Sequence, residues 1–106
     1  MRSLSKFTAV LTALTTAAAL LAGQAALAYT GQALAKHARV TLAQARGIAL
    51  KARPGKITDQ ELEKEGGGSG LRYSFDIKSG GVTFEVGVDA QTGKVLENAK
   101  EGSHPD

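Results

Sequence analysis

Asp59, Glu61, Glu63 and Glu65 stand at every second position of one short run, and an extended strand turns that spacing into a single row of carboxylates. Such a row could form an acidic docking surface or a weak cation site. Arg72 follows after the glycine-rich stretch Gly66-Gly67-Gly68-Ser69-Gly70. If that stretch closes a hairpin, Glu63 comes opposite Arg72, and Lys78 lies at the far end near Ile57. These five residues, Asp59, Glu61, Glu63, Glu65 and Arg72, make up the candidate interaction surface. The plainer outcome for them is a solvated sheet face with cross-strand pairs, each exposed pair contributing less than about 1 kcal/mol.

Residue types and spacing support little other chemistry. A calcium loop opening at Asp89 would have Gln91 third and Gly93 fifth, and the fifth position needs a ligand oxygen. A Thr92-Gly93 turn accounts for the same residues more simply. His37 and His104 flank the periodic part of the chain without a third ligand at metal spacing. The run from Gly66 to Gly70 lacks the Lys-Ser/Thr pair of a phosphate loop. No Ser, His and Asp fall into an arrangement that would activate a nucleophile. No catalytic, cofactor-binding or metal-binding residue is expected, so the chain is read as a binding module and not an enzyme.

The elements that must position the carboxylates are legible from periodicity. Thr41 with Gln44 fits a capping box, and Val40 is placed for a hydrophobic staple. Leu42, Ala45, Ile48, Ala49 and Ala52 then fall on one helical stripe. Arg53-Pro54-Gly55 ends that helix, and Lys51 and Arg53 suit the negative end of its dipole. After Gly55 the period changes to two. Leu71, Tyr73, Phe75 and Ile77 alternate with polar residues, as do Val82, Phe84, Val86 and Val88. Gly80-Gly81 suits a primed two-residue turn, which sets Ile77 opposite Phe84 and Phe75 opposite Val86. Both phenylalanines then belong to the core, while Arg72 faces water.

The carboxylate row occupies an edge strand over residues 58–64, with Leu62 opposite Tyr73, Gln60 opposite Phe75 and Thr58 opposite Ile77. An edge strand offers unpaired backbone groups to an extended partner, and its charges also guard against aggregation. Val95-Leu96-Glu97 is a short last strand after a turn at residues 89–94. The expected fold class is α+β, with one main helix packed across a four-stranded antiparallel meander.

The start of the chain has the three parts of an export signal. Arg2 and Lys6 are followed by an uncharged run from Phe7 to Ala22, and Ala26-Leu27-Ala28 offers small residues for cleavage. The run is about 16 residues, short of the roughly 20 that a membrane span needs. Residues 1–28 are therefore a cleaved signal peptide, and Tyr29 is the expected mature N-terminus. Residues 29–39 form a linker or short helix, residues 40–98 the domain, and residues 99–106 a flexible tail. The expected location is the periplasm or the outside of the cell, without stable membrane insertion after cleavage. With no cysteine in the chain, neither a disulfide nor a cysteine-linked lipid can secure it.

Charge narrows the partners. The chain has 13 basic and 10 acidic residues, and loss of Arg2 and Lys6 with the signal leaves 11 against 10. A balance that close is not a nucleic-acid footprint, and no nucleic-acid partner is expected. The distribution is uneven. Lys36, Arg39, Arg46, Lys51, Arg53 and Lys56 precede Asp59 with no acid among them, and the acids follow. Halves so complementary are expected to hold one another.

The run Thr41-Leu42-Ala43-Gln44-Ala45-Arg46-Gly47-Ile48-Ala49-Leu50 resembles the opening helix of PepSY domains. So do the Pro54-Gly55 break, the strand Tyr73-Ser74-Phe75-Asp76-Ile77, and the stretch from Glu85-Val86-Gly87-Val88 through Asp89-Ala90-Gln91-Thr92-Gly93-Lys94 to Val95-Leu96. The family occurs in propeptides of thermolysin-like metalloproteases and in small exported bacterial proteins. The resemblance implies a non-catalytic regulator of a peptidase in the cell envelope, an inhibitor or folding aid, without cofactors. No protease sequence follows the domain here, so inhibition would act in trans. The alternative is a structural or stress-related envelope protein whose acidic sheet face meets cations, cell-wall polymer or lipid headgroups.

Overall fold

The computed structural model describes residues 28–102. The expected signal peptide, apart from Ala28, and the last four residues of the expected tail lie outside them. A 3-10 helix (Gln32–His37) comes first, followed by helix α1 (Leu42–Ala52). Strands β1 (Lys56–Lys64), β2 (Leu71–Ser79), β3 (Val82–Asp89) and β4 (Val95–Lys100) then form one antiparallel sheet in chain order. The helix lies against one face of this meander, an α+β arrangement in two layers.

Helix α1 starts where its cap dictates. The Gln44 amide donates to Thr41 Oγ1 at 3.1 Å, and the Thr41 amide donates to Gln44 Oε1 at 2.9 Å. The helix ends as Arg53 turns extended (φ −141°) before Pro54. Ala45 and Ala49 are fully buried, with Leu42 and Ile48 packed at the margin of the core. Small alanine side chains let the helix backbone come close to the sheet. There it meets Leu62, Tyr73, Phe75, Ile77, Val86 and Val88.

The register of the central hairpin follows from its turn. Gly80 and Gly81 have φ of +60° and +80°, as a primed turn requires, and Phe75 faces Val86 while Ile77 faces Phe84. Leu62 faces Tyr73 and Gln60 faces Phe75. The expected pairing of Thr58 with Ile77 does not form. A bulge between Ile57 and Asp59 places Ile57 opposite Ile77. The extra residue re-phases the strand, so an apolar side chain joins the inner face where a threonine was expected. Strand β4 also runs on past Glu97, with Ala99 opposite Glu85 and Lys100 opposite Phe84. The first two residues of the expected tail are therefore paired strand.

Phe75 is fully buried, whereas Phe84 is only half-buried. Helix α1 does not cover that end of the sheet. The Arg53 guanidinium does so instead, 3.8 Å from the centre of the Phe84 ring, and its Nε donates to Asn98 Oδ1 at 3.1 Å. The dipole-end position expected for Arg53 therefore comes with a second task, as a cation over an aromatic face.

Candidate functional site: the acidic face of the sheet

Alternation along the strands sends one set of side chains toward α1 and the other to the opposite face. On that opposite face the registers bring together Asp59, Glu61 and Glu63 of β1, Asp76 of β2, Glu85 of β3 and Glu97 of β4. Glu65 joins them through Arg72, and Glu101 through Asp76. Of the four carboxylates expected along one strand, Asp59, Glu61 and Glu63 share this face from β1, and Glu65 follows just past the strand's end. Asp76, Glu85, Glu97 and Glu101 extend the surface beyond the five residues named from sequence. Their signal was the polar half of the same alternation, visible at Asp76 and Glu85 in the two strands of period two.

The crowding is felt in their acidity. Glu61 is held above the usual carboxylate range by burial and by Glu63, Asp59 and Asp76. Asp76 is raised by burial and by Glu101 and Asp59. Glu85, near the middle of the face, is raised by burial and then by Glu97, Asp76, Glu63 and Glu65.

Arg72 is the cation set among them, and it is not the solvated residue that sequence implied. Only 9% of it is exposed. Its Nη1 lies 2.7 Å from Glu65 Oε2 and 3.4 Å from Glu97 Oε1, while Nη2 donates to the Gly66 carbonyl at 3.2 Å. Gly87 makes the room, since a Cβ there would sit 3.0 Å from Arg72 Cδ. Glu63 does face Arg72 in the register, but its carboxylate accepts from Ser74 Oγ at 2.8 Å instead. Arg72 thus ties the loop after β1 to strand β4 across the width of the face.

Two basic side chains of the first half meet neutral groups of the second half. Arg46 donates to Gln60 and Arg53 to Asn98, both neutral partners. Carboxylates gather on the open face and the basic helix lies against the other, with Lys56 and Lys78 paired at one end of the open face.

Asp89 is buried at the end of β3 and serves structure. Its carboxylate accepts from the amides of Ser69 (2.6 Å), Gln91 (2.8 Å) and Thr92 (3.2 Å). Burial alone would raise its pKa, but these hydrogen bonds outweigh burial and bring it down to about 2. His37 is exposed, with its carbonyl taking the Gln91 side-chain amide, and His104 lies outside the described residues. Among the described residues, no three His, Cys, Asp or Glu side chains are placed to hold a metal ion, and no helix is long and apolar enough to cross a membrane.

No curated protein and no solved structure matches the chain. A family match does run from residue 39 to residue 98, to the PepSY domain, described as the peptidase propeptide and YPEB domain. That interval takes in the capped helix, the whole of β1, β2 and β3, and β4 as far as Asn98. It covers more than half of the chain, and by it the chain belongs to the PepSY family.

Proposed function

We propose that the chain is an exported, non-catalytic PepSY module that docks on a peptidase or another protein of the cell envelope and regulates it, with the acidic sheet face as its docking surface. The carrying observation is the gathering of carboxylates on one face, with Lys56 and Lys78 confined to one end of it. One broad face, left open by the helix, gathers carboxylates from all four strands around a single buried arginine. Such a face selects basic surfaces and speeds association at low salt. Domains of this family are generally propeptide-like or inhibitor-like modules without catalysis, and are typically extracellular or periplasmic. The charged start, uncharged run and Ala-Leu-Ala site of residues 1–28 supply the route for export.

Capture from an envelope extract tests the docking. Immobilised mature domain should retain a metallopeptidase, and a folded variant with Glu61→Lys and Glu63→Lys should lose it. Recovery of polymer or lipid alone, or equal capture by the variant, would defeat the proposal. Mass spectrometry of exported protein should find Tyr29 first; a full-length membrane-bound form would defeat the export reading.

A further inference from the structure

Strand β1 stands at one margin of the sheet, yet its outer edge is not bare. Thr30 forms a parallel bridge with Glu61, and the Leu62 amide donates to the Thr30 carbonyl at 2.9 Å. The chain thus lays its own residues where an added strand would lie. Gly31 makes the approach possible. Its φ is +83°, and a Cβ there would fall 1.8 Å from the Leu62 carbonyl oxygen. Tyr29 is half-buried and packs at the margin of the core. The contact is nonetheless slight. It consists of one bridge and the packing of one side chain, Tyr29, and a cavity of about 360 Å³ lies beside it, lined in part by Thr30, Arg46, Asp59 and Gln60.

We propose that residues 29–31 form a displaceable strap, which occupies the β1 edge in the place of a partner's strand and competes with it. This goes beyond docking on the carboxylate face and concerns the sheet edge: a strand reaches β1 only by displacing the chain's own. An element held by so few contacts opens at low free-energy cost, so exchange needs no unfolding of the sheet. The strap also links docking to processing. Cleavage after Ala28 keeps all three strap residues, whereas a cut three residues further on removes them and leaves the edge open.

Gly31→Ala drives the strap off β1 while leaving every fully buried side chain in place, and a chain beginning at Gln32 removes the strap by deletion, together with the packing of Tyr29. Hydrogen exchange should show the Leu62 amide exchanging about tenfold faster in either variant, with the β2 amides unchanged. An octapeptide of alternating lysine and valine, used as the probe strand, should bind the variants about tenfold more tightly than wild type. Unchanged Leu62 protection, or equal affinity for all three chains, overturns the strap. A freed Leu62 amide without peptide binding by any chain shows that β1 accepts no strand. That result also overturns the proposal, while docking on the carboxylate face would still stand or fall by the capture experiment.

Discussion

Ser69 lies in the loop between β1 and β2 and Asp89 at the end of β3, and the Asp89 carboxylate joins them by accepting both the Ser69 amide (2.6 Å) and its hydroxyl (2.8 Å). The β1–β2 loop is thereby fastened to the turn after β3. The folded carboxyl titrates at about 2, below its ordinary 3.8. Its stabilisation is therefore complete above pH 3.8 and is lost as pH falls through about 2. The shift corresponds to roughly 2–3 kcal/mol. Asp89→Asn should cost about 2 kcal/mol in urea denaturation at pH 7 and should flatten the loss of stability below pH 4. An equal acid limb in both proteins would contradict this role.

The two core phenylalanines should differ. Phe75→Ala opens a cavity at a fully buried site and should cost roughly 3–5 kcal/mol, enough to unfold a domain of this size. Phe84 is half-buried beneath Arg53, so its truncation should cost about half as much. Thermal melts that ranked Phe84→Ala as the more severe would place the core in the wrong part of the sheet.

Arg72→Ala should cost about 2–3 kcal/mol, above the range for exposed pairs, because its guanidinium is buried against Glu65, Glu97 and the Gly66 carbonyl. Lys cannot reproduce its branched contacts, so Arg72→Lys should recover only part of the loss. Chemical denaturation of the two variants decides the point, and a loss under about 0.5 kcal/mol for Ala would return Arg72 to the surface.

The carboxylate face should make the domain more stable in mild acid. Glu61, Asp76 and Glu85 titrate above their unfolded values because of burial and then of like-charged neighbours. A raised folded value means that folding takes up protons, so the penalty is present at neutral pH. It fades as pH falls through the raised values toward 4.5 for the glutamates and 3.8 for the aspartate. The melting temperature should rise as pH falls from 7.5 to about 4.5, with a smaller rise in high salt and in Glu85→Gln. A melting temperature that falls over this interval would show that the face is not under charge strain.

Much of this architecture was legible because its signals are local. A capping box lies within four residues, Gly80-Gly81 declares its turn, and Tyr73, Phe75 and Ile77 declare their face by period two. What escaped depends on neighbours distant in sequence. The bulge at Thr58 leaves no mark in a run already rich in polar residues. Arg72 is buried because Gly87, on the next strand, leaves space for it, and no pattern within β2 shows that. Phe84 looked equal to Phe75 because the reach of helix α1 along the sheet is a tertiary fact. The acidic face was half seen: the row on β1 stood out, while Glu97 and Glu101 joined only once strand order was known. The strap had no periodicity at all to announce it, only a glycine after the expected cleavage site.

A sheet that places carboxylates on one side and a basic helix on the other is, to a distant charge, a permanent dipole a few nanometres across. Once residues 1–28 are removed, a charge of 11 basic against 10 acidic residues would give it little net pull toward anything, yet a charged surface would exert a torque on it before contact. A cationic surface would therefore meet the sheet first and an anionic one the helix. The random search for a productive orientation becomes a guided one, and added salt would remove the guidance while leaving every contact in place.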